Sequence, residues 1–154
     1  MQAQRTLLLE DGDSVLFIGD SITDAGRQAD ASRGLGVGYV AQIADLLAAR
    51  YPDRRIAVNN QGISGNRVVD LCARWDRDVI DHRPDWVSIS IGINDVWRWF
   101  DGNPDAHIPI EQYRRVYREL LDATTSETEA RLVLMETSVI GEEAGLESNA
   151  MLRE

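Results

Sequence analysis

The sequence contains no lysine; all sixteen of its basic residues are arginine. That excludes chemistry built on a lysine amine, such as a Schiff base or the lysine of a phosphate-binding loop. Cys72 is the only cysteine, which rules out an intrachain disulfide and a thiolate metal cluster and suits a reducing compartment. Histidine is nearly as scarce, with His82 and His107 alone, and no His, Cys or carboxylate spacing suggests a metal site. Long apolar runs are missing too. Leu7 to Leu9 and Val15 to Ile18 fall far short of the roughly 20 residues that span a bilayer, so no membrane partner is expected. The opening stretch MQAQRTLLLEDGD lacks the apolar region and small-residue cleavage site of a secretory signal, and a cytoplasmic location is expected. With 16 basic against 26 acidic residues the formal charge is −10, which leaves no basic face for nucleic acid.

What the chain does have is a regular alternation. Four apolar, β-rich runs read as strands: Ser14 to Gly19, Ile56 to Asn59, Trp86 to Ile91 and Leu132 to Met135. Helical spacing fills the gaps. Val37, Val40, Ile43 and Leu47 form one apolar stripe, and Val68, Leu71, Cys72, Trp75 and Val79 form a second, with Asn66 as N-cap and a stop at Arg83-Pro84. Ile110, Tyr113, Val116, Tyr117, Leu120 and Leu121 form a third after Pro109, and a fourth helix is expected to start at Asn149. Strand–helix alternation predicts a single α/β domain over residues 1–154, a parallel sheet with helices on both faces. Trp75 and Trp86 are placed in its core.

Ligands of such sheets bind at the carboxyl ends of the strands. Three unusual clusters follow strands there: Gly19-Asp20-Ser21-Ile22-Thr23-Asp24, then Asn59 to Asn66 (NNQGISGN), then Gly92-Ile93-Asn94-Asp95. A serine on a sharp strand-to-helix turn, backed by uncovered backbone N–H groups and a side-chain amide, suits acyl transfer. The carbonyl under attack develops negative charge on oxygen, and fixed donors stabilise it. The N–H groups of Ser21 and Gly65 and the amide of Asn94 are the candidates, with Asp20 and Asp95 as loop braces. Trp97, Trp99 and Phe100 on the same rim are suited either to stacking on a sugar or to packing their own loop. The run Gly34 to Gly38 does not have the GxGxxG spacing and is taken as a flexible lead into the first long helix.

The segments FIGDSITD, NQGISGN and IGINDVW resemble, in order, blocks one, two and three of the SGNH (GDSL-type) hydrolase superfamily, and bacterial acetylxylan esterases within it are especially similar over VLFIGDSITDAGR, NQGISGNRVVDL and PDWVSISIGINDVWR. The resemblance implies a flavodoxin-like three-layer α/β/α fold. It also implies an esterase acting on small acyl esters, such as acetylated carbohydrate, with no cofactor. Ser21 would be the nucleophile, Gly65 the backbone oxyanion donor and Asn94 the side-chain donor.

One block has no counterpart. The family's C-terminal D-x-x-H pair, the source of base and orienting acid, does not occur in these 154 residues. His82 precedes the third strand and is expected to pair with Asp78, while His107 has Pro104 where an aspartate would stand. The expectation is therefore a C-terminally truncated SGNH domain, lacking its last strand and final helix and inactive as it stands. Two rivals remain open: a non-catalytic remnant that binds an ester or sugar, and a flavodoxin-like nucleotide-binding module. The oligomeric state, including a homo-oligomer, is left open as well.

Overall fold

A computed structural model describes residues 7–137 and 145–153. Four parallel strands, β1 (Ser14–Gly19), β2 (Ala57–Gly62), β3 (Trp86–Ser90) and β4 (Arg131–Leu134), form one sheet in the order β2-β1-β3-β4. The helices are α1 (Ser21–Asp24), α2 (Tyr39–Arg50), α3 (Val68–Cys72), α4 (Ile93–Phe100), α5 (Ile110–Glu127) and α6 (Glu147–Met151). The chain leaves β1 to one side for β2 and to the other for β3. The carboxyl ends of β1 and β3 therefore flank a topological switch point, where open α/β sheets build their sites.

Alternation along β1 makes the three layers. Leu16 and Ile18 point to one face and, with Val87 and Ile89, pack on Val68, Leu71, Trp75 and Val79 and on Val116 and Leu120 of α5. Val15 and Phe17 point to the other face, against Leu35, Val40 and Ala41. Each fully buried aliphatic side chain contributes about 1.5–3 kcal/mol by leaving water.

Several sequence expectations are corrected. β2 begins at Ala57, and it continues through the polar Asn59-Asn60-Gln61-Gly62, in register with Leu16 to Gly19. It is an edge strand, so Asn59 faces solvent, while the buried Asn60 donates to Thr23 O (2.7 Å) and Leu35 O (2.9 Å). Val37 is not on the first apolar stripe: it is 87% exposed, ahead of α2. The second helix is broken. Its α-helical part ends at Cys72, which is exposed, and a π-helical turn covers Asp76–Ile80. Its N-cap is Arg67, not Asn66, and the Asp70 carboxylate accepts the Arg67 backbone N–H (2.8 Å). Trp75 is buried as expected, but Trp86 is only half-buried, with its indole N–H on Asp13 (3.1 Å) and Arg131 over its ring. Residues 93–100, read as rim loop, are the helix α4, and α6 starts at Glu147. β4 pairs only with β3 among the described residues and exposes Val133 and Leu134.

Candidate active site

Ser21 opens α1 directly after β1. Asp20 is the N-cap and is 2% exposed; its carboxylate accepts the N–H of Ile22 (2.9 Å). Burial pushes the Asp20 carboxyl up, and the Ile22 hydrogen bond opposes that. Ser21 itself is exposed, and among the described residues neither its hydroxyl nor its backbone N–H has a protein partner.

The turn after β2 is clamped from both sides. Ile63 N–H donates to Gly19 O (3.0 Å), Ser64 N–H donates to Asp24 on α1 (3.1 Å), and Asn66 N–H closes the turn on Ile63 O (3.2 Å). Gly65 sits inside that turn at φ +83°, a left-handed conformation that costs other residues about 1–2 kcal/mol. Its N–H has no acceptor among the described residues. On the far side, Asn94 Nδ2 donates to Asn66 O (3.0 Å). One amide hydrogen is thereby used to orient the group, and the second remains available.

Asp95 completes the clamp. It is 2% exposed, and its carboxylate accepts the Val68 N–H (3.0 Å) while its backbone carbonyl accepts Ile108 N–H (3.1 Å). Burial raises the carboxyl from its ordinary 3.8 to about 7, against the opposing pull of the Val68 N–H. Because the folded protein holds this proton more tightly than the unfolded chain, the group's stabilisation is complete below pH 4. It is then lost as pH rises from about 4 to about 7. Asp95→Asn keeps the acceptor and never ionises. Its melting temperature should gain on the wild type by about 5 °C between pH 5 and pH 8, read in parallel thermal melts. A constant difference across that range would mean that Asp95 does not titrate there.

Ser21, Gly65 and Asn94 thus lie on turns after β1, β2 and β3 that are hydrogen-bonded to one another. The two histidines are not part of this set. His82 does not pair with Asp78, which is held by Arg74 (2.7 Å) and Arg77 (2.6 Å); its ring meets the Gln61 amide (3.2 Å) near the end of β2. His107 packs edge-on against Trp99 (5.3 Å between centroids) and lines a cleft of about 370 Å³ with Asp95 and Tyr113. Neither is hydrogen-bonded to Ser21.

Trp97, Trp99 and Phe100 are 41%, 52% and 38% exposed on α4. Within the glycine run at 34–38, Gly36 and Gly38 pack against Ala25, which corrects the expectation of a flexible lead at those two positions. Val37 N–H bonds Ala25 O (3.0 Å), and a Cβ at Gly36 would stand 2.6 Å from Ala25 O. Asp24, Asn60, Asn66 and Arg74, which hold the turns together, were not singled out as site residues from the sequence. The dense polar stretch NNQGISGN was the one signal for two of them. Among the described residues no three His, Cys, Asp or Glu side chains are grouped as metal ligands, and no helix is long and apolar enough to cross a membrane.

Comparison with known proteins shows the family. The model of the GDSL-like lipase/acylhydrolase family matches residues 17–153. The chain belongs to this family. An acetylxylan esterase from Geobacillus stearothermophilus is 52% identical over 116 residues, 71% of this chain and 53% of that protein. The chain therefore spans about half the length of this curated relative. A crystal structure of a catalytic mutant of an acetylxylan esterase from the same organism superposes with a TM-score of 0.88 at 41% identity, covering 96% of this chain and 69% of that one. Catalytic mutants of that enzyme replace a serine, an aspartate and a histidine by alanine. An α/β hydrolase from the metagenome of Lake Arreo, Spain, gives a TM-score of 0.87 at 39% identity, covering 94% and 69% of the two chains. The family and the four-stranded parallel α/β fold both agree with the sequence resemblance.

Proposed function

We propose that the protein is a serine esterase that cleaves small carboxylic esters, acetyl esters of carbohydrate above all, through an acyl-enzyme on Ser21. The observation that carries this reading is the clamp of hydrogen bonds that joins the Ser21, Gly65 and Asn94 turns while leaving the Ser21 and Gly65 N–H groups without protein acceptors. Ser21 Oγ attacks the ester carbonyl as its proton passes to a base. The tetrahedral oxyanion is held by the N–H groups of Ser21 and Gly65 and by the free Asn94 amide hydrogen, each such donor being worth about a hundredfold to a thousandfold in rate. The alcohol then leaves, and water releases the acid from Ser21.

The base in this proposal is a histidine oriented by an aspartate, as the catalytic mutants of the Geobacillus enzyme suggest. It is neither His82 nor His107, because one is engaged with Gln61 and the other sits against Trp99. Hydrolysis of a chromogenic acetate by the 154 residues alone, beside any longer product of the same reading frame, tests this. Turnover that needs Ser21 should appear only where a D-x-x-H pair is present. Ser21-dependent turnover by the 154 residues alone would bring His107 back as the base.

The sugar preference rests on the exposed indoles of Trp97 and Trp99, which follow Asn94 on α4. Stacking of this kind is worth about 0.5–1.5 kcal/mol, so Trp97→Ala or Trp99→Ala should raise KM for acetylated xylooligosaccharides about threefold to tenfold. The KM for a chromogenic acetate, which has no sugar, should stay within twofold. Equal effects on both substrates would argue that the indoles merely pack the loop.

A further inference from the structure

Arg74 is a charged residue in an unexpected place. It is only 8% exposed, and it lies where the helix after β2 changes from α to π geometry. Its guanidinium donates to four acceptors: Asn66 Oδ1 (2.9 Å), Gln61 O (2.8 Å), Gly19 O (3.3 Å) and Asp78 Oδ2 (2.7 Å). Only the bond to Asp78 neutralises charge. The other three end at the carboxyl ends of β1 and β2 and on the turn after β2, which lead into the candidate site. Gly19 is two residues before Ser21, Gln61 is the penultimate residue of β2 on the way to Gly65, and Asn66 is the residue whose carbonyl receives the Asn94 amide.

A buried ion pair is poor evidence for added stability, since desolvating both charges offsets their attraction. Shape explains the residue better. A planar guanidinium presents five donors in a fixed fork and can span acceptors on separate segments, whereas a lysine ammonium is a single point with three donors. The Arg74–Asn66–Asn94 chain also passes through a side chain, so it can be cut without removing any candidate catalytic group.

We propose that Arg74 is the positioning residue of the site: through Asn66 it aims the Asn94 amide, and through Gly19 O and Gln61 O it sets the turns carrying Ser21 and Gly65. This rests on the esterase reading for its kinetic consequence but not for its geometric one. Displacing a stabilising donor by about 1 Å costs up to about a hundredfold in rate while leaving ground-state binding largely intact. Arg74 should therefore act on kcat and not on KM.

The test uses Arg74→Lys and Asn66→Ala in protein that contains the D-x-x-H pair, each with chromogenic acetate kinetics and nitrogen-15 NMR of the Asn94 side-chain amide. Both variants should lower kcat at least tenfold with KM within twofold. Both should shift and broaden the Asn94 amide signals while the sheet amides of Val87 and Ile89 keep theirs. If Arg74→Lys does not fold, Asn66→Ala decides, because it removes one acceptor and leaves the backbone carbonyl that Asn94 uses. Unchanged Asn94 signals, or an unchanged kcat in protein whose activity depends on Ser21, would overturn the proposal and reduce Arg74 to a structural ion pair. If parent protein that carries the D-x-x-H pair shows no Ser21-dependent turnover, the esterase reading falls instead, and the Asn94 signals alone decide the role of Arg74.

Discussion

Ser21→Ala should abolish ester turnover without disturbing the fold, and the separation of those two effects is what makes it informative. Loss of the nucleophile in a serine protease costs about a millionfold in kcat, and a drop of that order takes activity below detection here. Stability should barely change. Ser21 is exposed, its hydroxyl has no protein partner among the described residues, and the α1 cap is made by Asp20 on Ile22 N–H. Surface changes of this sort usually stay within about 0.5 kcal/mol. The measurement is chromogenic acetate hydrolysis by protein that contains the complete catalytic set, paired with a thermal melt. Residual turnover above a few per cent in a normally folded variant would mean that another group attacks the ester. A large fall in melting temperature would mean that Ser21 serves as a structural residue at the turn.

The largest effect on stability is expected at Gly62, where β2 passes beneath α1. A Cβ there would lie 2.6 Å from the Thr23 carbonyl carbon and still closer to the Asp24 backbone nitrogen. Both are main-chain atoms, and α1 cannot retreat without losing the bonds from Asn60 to Thr23 O (2.7 Å) and from Ser64 N–H to Asp24 (3.1 Å). Overpacking usually costs about 1–3 kcal/mol where side chains can shift, so Gly62→Ala should cost at least about 3 kcal/mol. For a chain of this length that lowers the melting temperature by about 6–12 °C. Gly102→Ala is the control for added bulk. It has open space around it, and its positive φ of +85°, which Gly62 does not share, leaves only a backbone cost of about 1–2 kcal/mol. If the two variants melt together, α1 does not press on β2 as closely as these contacts require.

The parts of the fold legible in the sequence are those that rest on apolar burial. Leu16, Ile18, Val87 and Ile89 lie in runs that read as two-face-covered strands, and all four are fully buried. The end of β2 was not legible, because Asn59-Asn60-Gln61-Gly62 has none of the apolar character that marks a buried strand. Those residues are in the sheet because an edge position lets them pair with β1 on one side while their side chains find water or the α1 backbone. The break in the second helix was hidden for a related reason. Val68, Leu71, Trp75 and Val79 all face the core, so apolar spacing runs on across the change to π geometry. Periodicity reports which face is covered and not which carbonyl each N–H meets. Cys72 and Val37 were assigned to apolar stripes by spacing alone, and both turned out to be exposed.

The candidate site divides the same way. That Ser21, Gly65 and Asn94 belong to one rim follows from the sequence by itself, because a parallel sheet brings the residue after each strand to the same end. How those residues are aimed is decided only in three dimensions. Asn94 is oriented by a carbonyl 28 residues earlier, Ser64 by a carboxylate 40 residues away, and Arg74 reaches back 55 residues to Gly19. Hydrogen bonds of this range leave no periodic trace in a sequence, since each needs one donor and one acceptor that meet only after the sheet has formed.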